Sequence, residues 1–398
     1  MNGLHRILGR HAIDHPIRPV GATILDLLRG LSALLVLAQH LRVLMFPPFA
    51  EGGAGGLGAQ LFYFATSLGH QAVVVFFVLS GFLVGGRAAI SIAADRWTVR
   101  RYAVQRIGRI GTVLLPALIV GVMLDLLGLG WLPGISVYGA GIAGHPMLDF
   151  AVRDHLAPTV LLGNILGLQP FLVPSAGSNS VLWSLGYEVW FYALFPVLLL
   201  AATGRLGRLR TMLGLGFAGI MLGLMGPWGI AFFAIWTLGA SLVVWPHADR
   251  LAGSAWSAVL MASVLVVGAL LAGKIDRFAD LADMILLPIA VALLIHAVLH
   301  LPGRPVVGPT GARAAQGVRR LADISFSLYL VHLPLLTLIQ AGLARSGLLP
   351  LRFDPLGLGA FGLLFGLTLL YAAWFAALTE RRTDDIRGWL SRRRMAAS

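Results

Sequence analysis

The sequence predicts an all-α, polytopic membrane bundle of about ten transmembrane helices with both termini cytoplasmic. Three observations predict it. The chain of 398 residues is 58% hydrophobic and 12% charged, about half the charge fraction of a soluble domain, and its mean hydropathy is +0.85. Its apolar runs are about twenty residues long, the length that crosses a bilayer. Its cationic residues fall almost entirely on one side of those runs.

The runs place spans at about 22–46, 60–84, 110–130, 181–202, 211–226, 229–245, 255–273, 284–301, 321–341 and 357–379. The fifth and sixth are short and meet at Gly226-Pro227-Trp228-Gly229, a hairpin signal. With the N-terminus inside, the cytoplasmic loops hold 23 arginines, including Arg87, Arg96, Arg100, Arg101, Arg106 and Arg109 in one loop. The opposite side holds five cations: Arg153, Lys274, Arg277, Arg345 and Arg352. This asymmetry, and not nucleic-acid binding, accounts for the formal charge of +13; no nucleic-acid partner is expected. There is no cysteine, so disulfide, thiol and thiolate-metal chemistry are excluded. The N-terminus shows no short apolar core with a cleavage site, so no cleaved signal peptide is expected.

Two stretches lie outside the spans. Residues 131–180 form a long outer segment with His145, Asp149, Asp154, His155 and Asn179; loops of such length are commonly functional. Within it, 158–166 reads as a short interfacial or re-entrant helix. Residues 380–398 form a basic cytoplasmic tail suited to the inner leaflet. Residues 1–379 make one transmembrane domain.

The first span carries charge where the bilayer opposes it. Asp26 and Arg29 are three residues apart and can pair. Arg29 and His40 are eleven apart, close to three helical turns, so they share a face. Rise per residue puts Arg29 about 10 Å in from the cytoplasmic face. His40 falls in the outer half, and Glu188 of the fourth span about 10 Å in from the outer face. A histidine and a carboxylate at one depth suit general acid–base chemistry. Spacing alone leaves two other uses open, a structural ion pair and the proton relay of a transporter.

Other candidates carry similar alternatives. Arg106 and Arg109 are one turn apart, with Arg101 close by. Guanidinium forks suit phosphate, although charge alone favours topology determinants that touch lipid head groups. Tyr329 and His332 either line a cavity or bond a neighbouring helix. Ser184 lies one turn before Glu188. Ser80, among small neighbours in Leu79-Ser80-Gly81, reads as a packing site. His296 and His300 have metal-ligand spacing but no evident third ligand, so they read as interfacial, and no metal is expected. Walker, dinucleotide, His-Glu-x-x-His and nucleophile-elbow motifs are absent.

Several blocks together resemble the acyltransferase-3 family of integral membrane acyltransferases of bacterial envelope glycans. They are Arg29 with His40; Val75-Phe76-Phe77-Val78-Leu79-Ser80-Gly81-Phe82-Leu83; Arg106-Ile107-Gly108-Arg109; Trp183-Ser184-Leu185-Gly186-Tyr187-Glu188; and Ser325-Phe326-Ser327-Leu328-Tyr329-Leu330-Val331-His332. The resemblance covers about residues 20–380. It implies ten core spans in the bacterial inner membrane, a cytoplasmic acyl-CoA donor (acetyl-CoA first) and an acceptor hydroxyl on an outer glycan or lipid-linked sugar. It implies catalytic roles for His40, Glu188 and Arg29. Arg106, Arg109 and Arg101 become donor-phosphate contacts, and Asp26, Ser184, Tyr329 and His332 cavity residues. Gly186-Tyr187 replaces the small and acidic pair more usual before the glutamate. The proline usually close behind the arginine pair comes only at Pro116. The alternative from another class is a proton-coupled exporter of a glycan, lipid or acyl donor.

Overall fold

A computed structural model describes residues 17–49, 51, 56–245, 255–275, 279–301 and 309–382. Arg6, Arg10, Arg250, Arg277, Arg304 and the basic tail from 383 onward lie outside the described residues. The described residues are mainly helical, with no strand among them. In chain order the helices are α1 (Pro19–Met45), α2 (Leu57–Ala65), α3 (Gly69–Ser80), a π-helical turn (Gly81–Gly86) and α4 (Arg87–Ala93). Next come α5 (Val99–Trp131), α6 (Pro158–Ile165), α7 (Leu182–Ala202) and α8 (Arg208–Ser241). The last four are α9 (Ala255–Ala272), α10 (Leu287–Leu299), α11 (Pro309–Arg345) and α12 (Pro355–Leu378).

Nine helical stretches among the described residues are long and apolar enough to cross a membrane. The two short spans expected at 211–226 and 229–245 are one helical run, α8, broken at Gly226 (φ 66°, ψ −173°) just before Pro227. The break therefore falls at the glycine–proline junction that the sequence marks. The two sides are 18 and 15 residues, or roughly 27 and 22 Å, the longer close to the thickness of the hydrocarbon core.

Several helices outrun their apolar cores. α5 begins at Val99 and α11 at Pro309, about ten residues before the corresponding hydrophobic runs. Arginine and alanine favour helix, and an arginine stem can lie along apolar surface with its head in water. Charge ends the apolar run there without ending the helix.

The chain divides into two compact units. The first comprises Met1–Ser32, Gln71–Tyr102 and Tyr187–Ala322. Its tightest contact is between the π-helical turn and α8. A Cβ added at Gly81 would strike the Trp236 carbonyl oxygen, and one added at Gly239 the Val78 carbonyl oxygen. Backbones meet there with no room for a side chain, as small residues permit in membrane bundles. Ala262, Leu294, Val298 and Leu301 form a buried layer, flanked by Val20 and Ile24 of α1.

The second unit comprises Ala33–His70, Ala103–Gly186 and Asp323–Ser398. It contains the segment between α5 and α7, whose 158–166 stretch is the short helix α6. Three buried contacts hold this segment. Gly186 lets α7 pass directly over the Gln169 carbonyl. Gln169 Nε2 donates to the Leu182 carbonyl at 3.1 Å. The fully buried Asp125 of α5 accepts from the Ser178 backbone N–H at 2.8 Å.

Candidate active site

In the second unit, α1 presents His40 and α11 presents His332. His40 Nδ1 and His332 Nε2 are 2.7 Å apart. The rings are nearly parallel (7°), with centroids 5.0 Å apart, a separation for one bond between ring edges. His332 Nδ1 lies 2.8 Å from the Leu328 carbonyl oxygen. A carbonyl only accepts, so His332 Nδ1 must carry the proton. In a neutral His332 ring, Nε2 is then an acceptor, and His40 Nδ1 must donate to it. That chain fixes His40 as the Nδ1–H tautomer and leaves the lone pair on His40 Nε2 for a reacting proton. His332 is fully buried, so the chain is sheltered from competing water.

One turn earlier on α11, Tyr329 O–H lies 3.1 Å from the Val181 carbonyl and 2.7 Å from Ser184 Oγ. Ser184 Oγ is 3.5 Å from the same carbonyl. In either direction both hydroxyl protons are used inside this triangle. Tyr329 and Ser184 thus act here as ties between α7 and α11, two of the expected cavity residues brought together.

In the first unit, Glu188 of α7 gathers donors on one oxygen. Ser80 Oγ donates to Glu188 Oε1, and Tyr192 O–H donates to the same oxygen at 2.6 Å. Trp236 Nε1–H donates to Ser80 Oγ at 3.1 Å. Ser80, read from the sequence as a packing site, is instead a hydrogen-bonded hub that meets Glu188, Tyr192 and Trp236. Ser80 immediately precedes the π-helical turn Gly81–Gly86, and such turns are frequent at functional sites; nothing local in the sequence marks that turn. Glu188 and His40 belong to different units, and each has partners of its own.

Arg29 pairs with Asp26 at 3.3 Å, as their spacing predicts; both are about 30% exposed, so the pair contributes little stability. Of the arginines on α5, Arg101 is exposed. Arg109 pairs with Glu380, lies 5.7 Å from the centre of the Phe326 ring, and so has an internal counter-ion. Glu380 also accepts from Ser327 Oγ at 2.9 Å. Sequence reasoning assigned Glu380 to the tail; nothing local marks it as the partner of an arginine 271 residues away. In the segment between α5 and α7, burial lowers the pKa of His145 and His155. His145 Nδ1 accepts two backbone N–H groups, from Met147 and Leu148, each at 3.2 Å.

Comparison with known proteins decides the family. A profile described as an acyltransferase domain, that of acyltransferase-3, matches residues 23–377. The chain belongs to the acyltransferase-3 family. Every acyltransferase-3 candidate named above except Glu380 lies within the matched stretch. Among characterised relatives, the chain is 33% identical over 183 residues to "Acyltransferase MdmB" of Streptomyces mycarofaciens. That alignment spans 46% of this chain and 40% of the relative. No solved structure matches.

Proposed function

We propose that this acyltransferase-3 protein is a multi-pass O-acyltransferase of the bacterial inner membrane. It moves an acyl group, acetyl first among candidates, from cytoplasmic acyl-CoA to a hydroxyl of an outer glycan or lipid-linked sugar. The observation that carries this reading is the chain from the Leu328 carbonyl through His332 to His40, which leaves one imidazole nitrogen unprotonated and oriented. A general base needs such a lone pair, held within hydrogen-bond reach of the proton it takes.

His40 Nε2 takes the proton of the acceptor hydroxyl as its oxygen attacks the thioester carbonyl carbon. A C–O bond forms and the C–S bond breaks. The thiolate leaves with the electron pair of that bond and recovers the proton from His40, giving the ester and free CoA. His332, bonded to the other nitrogen, holds the tautomer and shares the transient positive charge. This gives His332 the orienting part that matched depth suggested for Glu188. Glu188 is the second catalytic group, a carboxylate aligned by Ser80 and Tyr192. Arg29 and Asp26 line the donor path, and Arg106, Arg109 and Arg101 receive the donor phosphates. The 131–180 segment selects the acceptor, both termini are cytoplasmic, and membrane lipids surround the bundle.

Mass spectrometry tests the reading, on glycans, glycolipids and exported small molecules from cells carrying the protein, an empty vector, or His40→Ala at matched expression. The expected result is a mass increment present only with the intact protein, which also identifies acyl group and acceptor. An increment that persists in His40→Ala would overturn the role of His40. No acyl increment together with no cleavage of the acyl-CoA thioester would favour an exporter.

A further inference from the structure

The turn of α11 that carries His332 has a gap in its backbone ladder. In an α-helix the N–H of residue 334 would bond the carbonyl of residue 330. Residue 334 is proline and has no N–H, yet α11 runs through it unbroken. The Leu330 carbonyl, on a fully buried residue, is therefore left without its helical donor. Asn179 supplies one from outside the helix: its Nδ2 donates to the Leu330 oxygen at 2.8 Å. Asn179 is itself 2% exposed, and the next residue before it is fixed through Ser178 N–H to Asp125. Two residues further on, the Val181 carbonyl takes the Tyr329 hydroxyl. The stretch 178–184 thus grips α11 at Tyr329 and Leu330, two residues that lie between the Leu328 carbonyl and His332.

We propose that Asn179 is a positioning residue for the His332–His40 dyad, its amide standing in for the N–H that Pro334 lacks. A proline turn whose freed carbonyl is bonded holds one geometry; with that bond removed, it is a hinge in the segment that sets where His332 Nε2 points. The dyad bond is 2.7 Å, and a displacement of about 1 Å at a reacting group is enough to lower turnover about a hundredfold. This inference rests on the reading of His40 as the general base. It also gives the segment between α5 and α7 a second task beside the proposed acceptor selection.

The gap offers its own repair. Pro334→Ala returns a backbone N–H at the one position able to bond Leu330, so it should suppress the loss of Asn179. Turnover is measured with radiolabelled acetyl-CoA and membranes of the expressing cells as acceptor source, at matched amounts of folded protein. Asn179→Leu, of similar size but without a donor, is expected to lower the maximal rate about 10- to 100-fold with little change in the KM for acetyl-CoA. Pro334→Ala alone is expected within about threefold of wild type, and the double variant within about threefold of Pro334→Ala. The acid limb of the rate–pH profile should move in Asn179→Leu and return in the double variant, which a mere loss of folded protein would not produce. Where Asn179→Leu fails to fold, Asn179→Ala, which removes the donor without adding bulk, takes its place in the same cycle. Wild-type turnover in the asparagine variant, or a double variant no better than the asparagine single, overturns the proposal. If that happens while His40→Ala is inactive, His40 remains the base and only the positioning role falls. If His40→Ala turns over normally, both fall together.

Discussion

The two units hold polar clusters that are wired in opposite senses. In the second unit the bonds run in a line, from the Leu328 carbonyl through His332 to His40. In the first they converge, with Ser80 and Tyr192 both directed at Glu188 Oε1 and Trp236 behind Ser80. A line that starts at a carbonyl forces the polarity of every later bond, because a carbonyl has nothing to give. It ends in an unprotonated nitrogen. A convergent cluster instead ends inward, on one carboxylate oxygen, and fixes that group in place. The proposed base therefore stands at the open end of the line, and Glu188 is held by its donors at the closed end of the convergent cluster.

The largest expected effect breaks the line at its middle. His332→Leu removes the acceptor for His40 Nδ1–H and frees the imidazole to take the other tautomer. Turnover should fall about 10²- to 10⁴-fold, the range of a lost general base. His332→Gln, whose carbonyl oxygen can still accept from His40, should recover part of that loss. Equal losses in both variants would mean that the ring of His332 itself, and not its acceptor nitrogen, is what His40 needs. Full activity in His332→Leu would remove the line from the mechanism.

The convergent cluster should respond differently to the same kind of cut. Glu188→Gln keeps an oxygen for Ser80 and Tyr192 to bond, so the thermal midpoint should barely move. Turnover should fall about tenfold if the charge assists the reaction, and the pair of measurements separates charge from scaffold. Ser80→Ala does the reverse. It leaves the Trp236 N–H, on a fully buried side chain, without its oxygen, a loss of about 1–3 kcal/mol. A lowered midpoint with turnover per folded molecule within a few-fold of wild type is the expected outcome. If Ser80→Ala instead abolishes turnover in a fully stable protein, the hydroxyl takes part in the chemistry.

Much of this was legible in the sequence, and what was not has physical causes. Apolar runs located the helices, and a glycine–proline junction located the break in α8, because those signals are local. The Asp26–Arg29 pair was legible for the same reason, being fixed by helical spacing. The partner of His40 was not. Depth along a helix orders residues along the membrane normal but says nothing about azimuth; depth pointed to Glu188, whereas the structure gives the histidine bond to His332. Asn179 was visible only as one polar residue in a long segment. Its use depends on Pro334, whose missing N–H is legible at Leu330 four residues earlier, although the sequence does not say which side chain will fill it.

The smallest expected effect lies at Arg109, away from both clusters. The sequence offered its guanidinium to donor phosphates, whereas the structure pairs it with Glu380. These uses are not exclusive, because a carboxylate and a phosphate oxygen compete for the same planar fork. The Arg109 side chain is 38% exposed while that of Glu380 is 7% exposed, so solvent reaches the guanidinium and screens only that side of the pair. If Glu380 occupies a phosphate position, Glu380→Gln removes the competitor and should lower the KM for acyl-CoA about two- to threefold. Arg109→Ala should raise that KM several-fold, and adding Glu380→Gln to it should then do nothing further. The last step is decisive, because a Glu380 that only anchors α12 to α5 would lower stability equally with or without Arg109's competing ligand and leave the KM where it was.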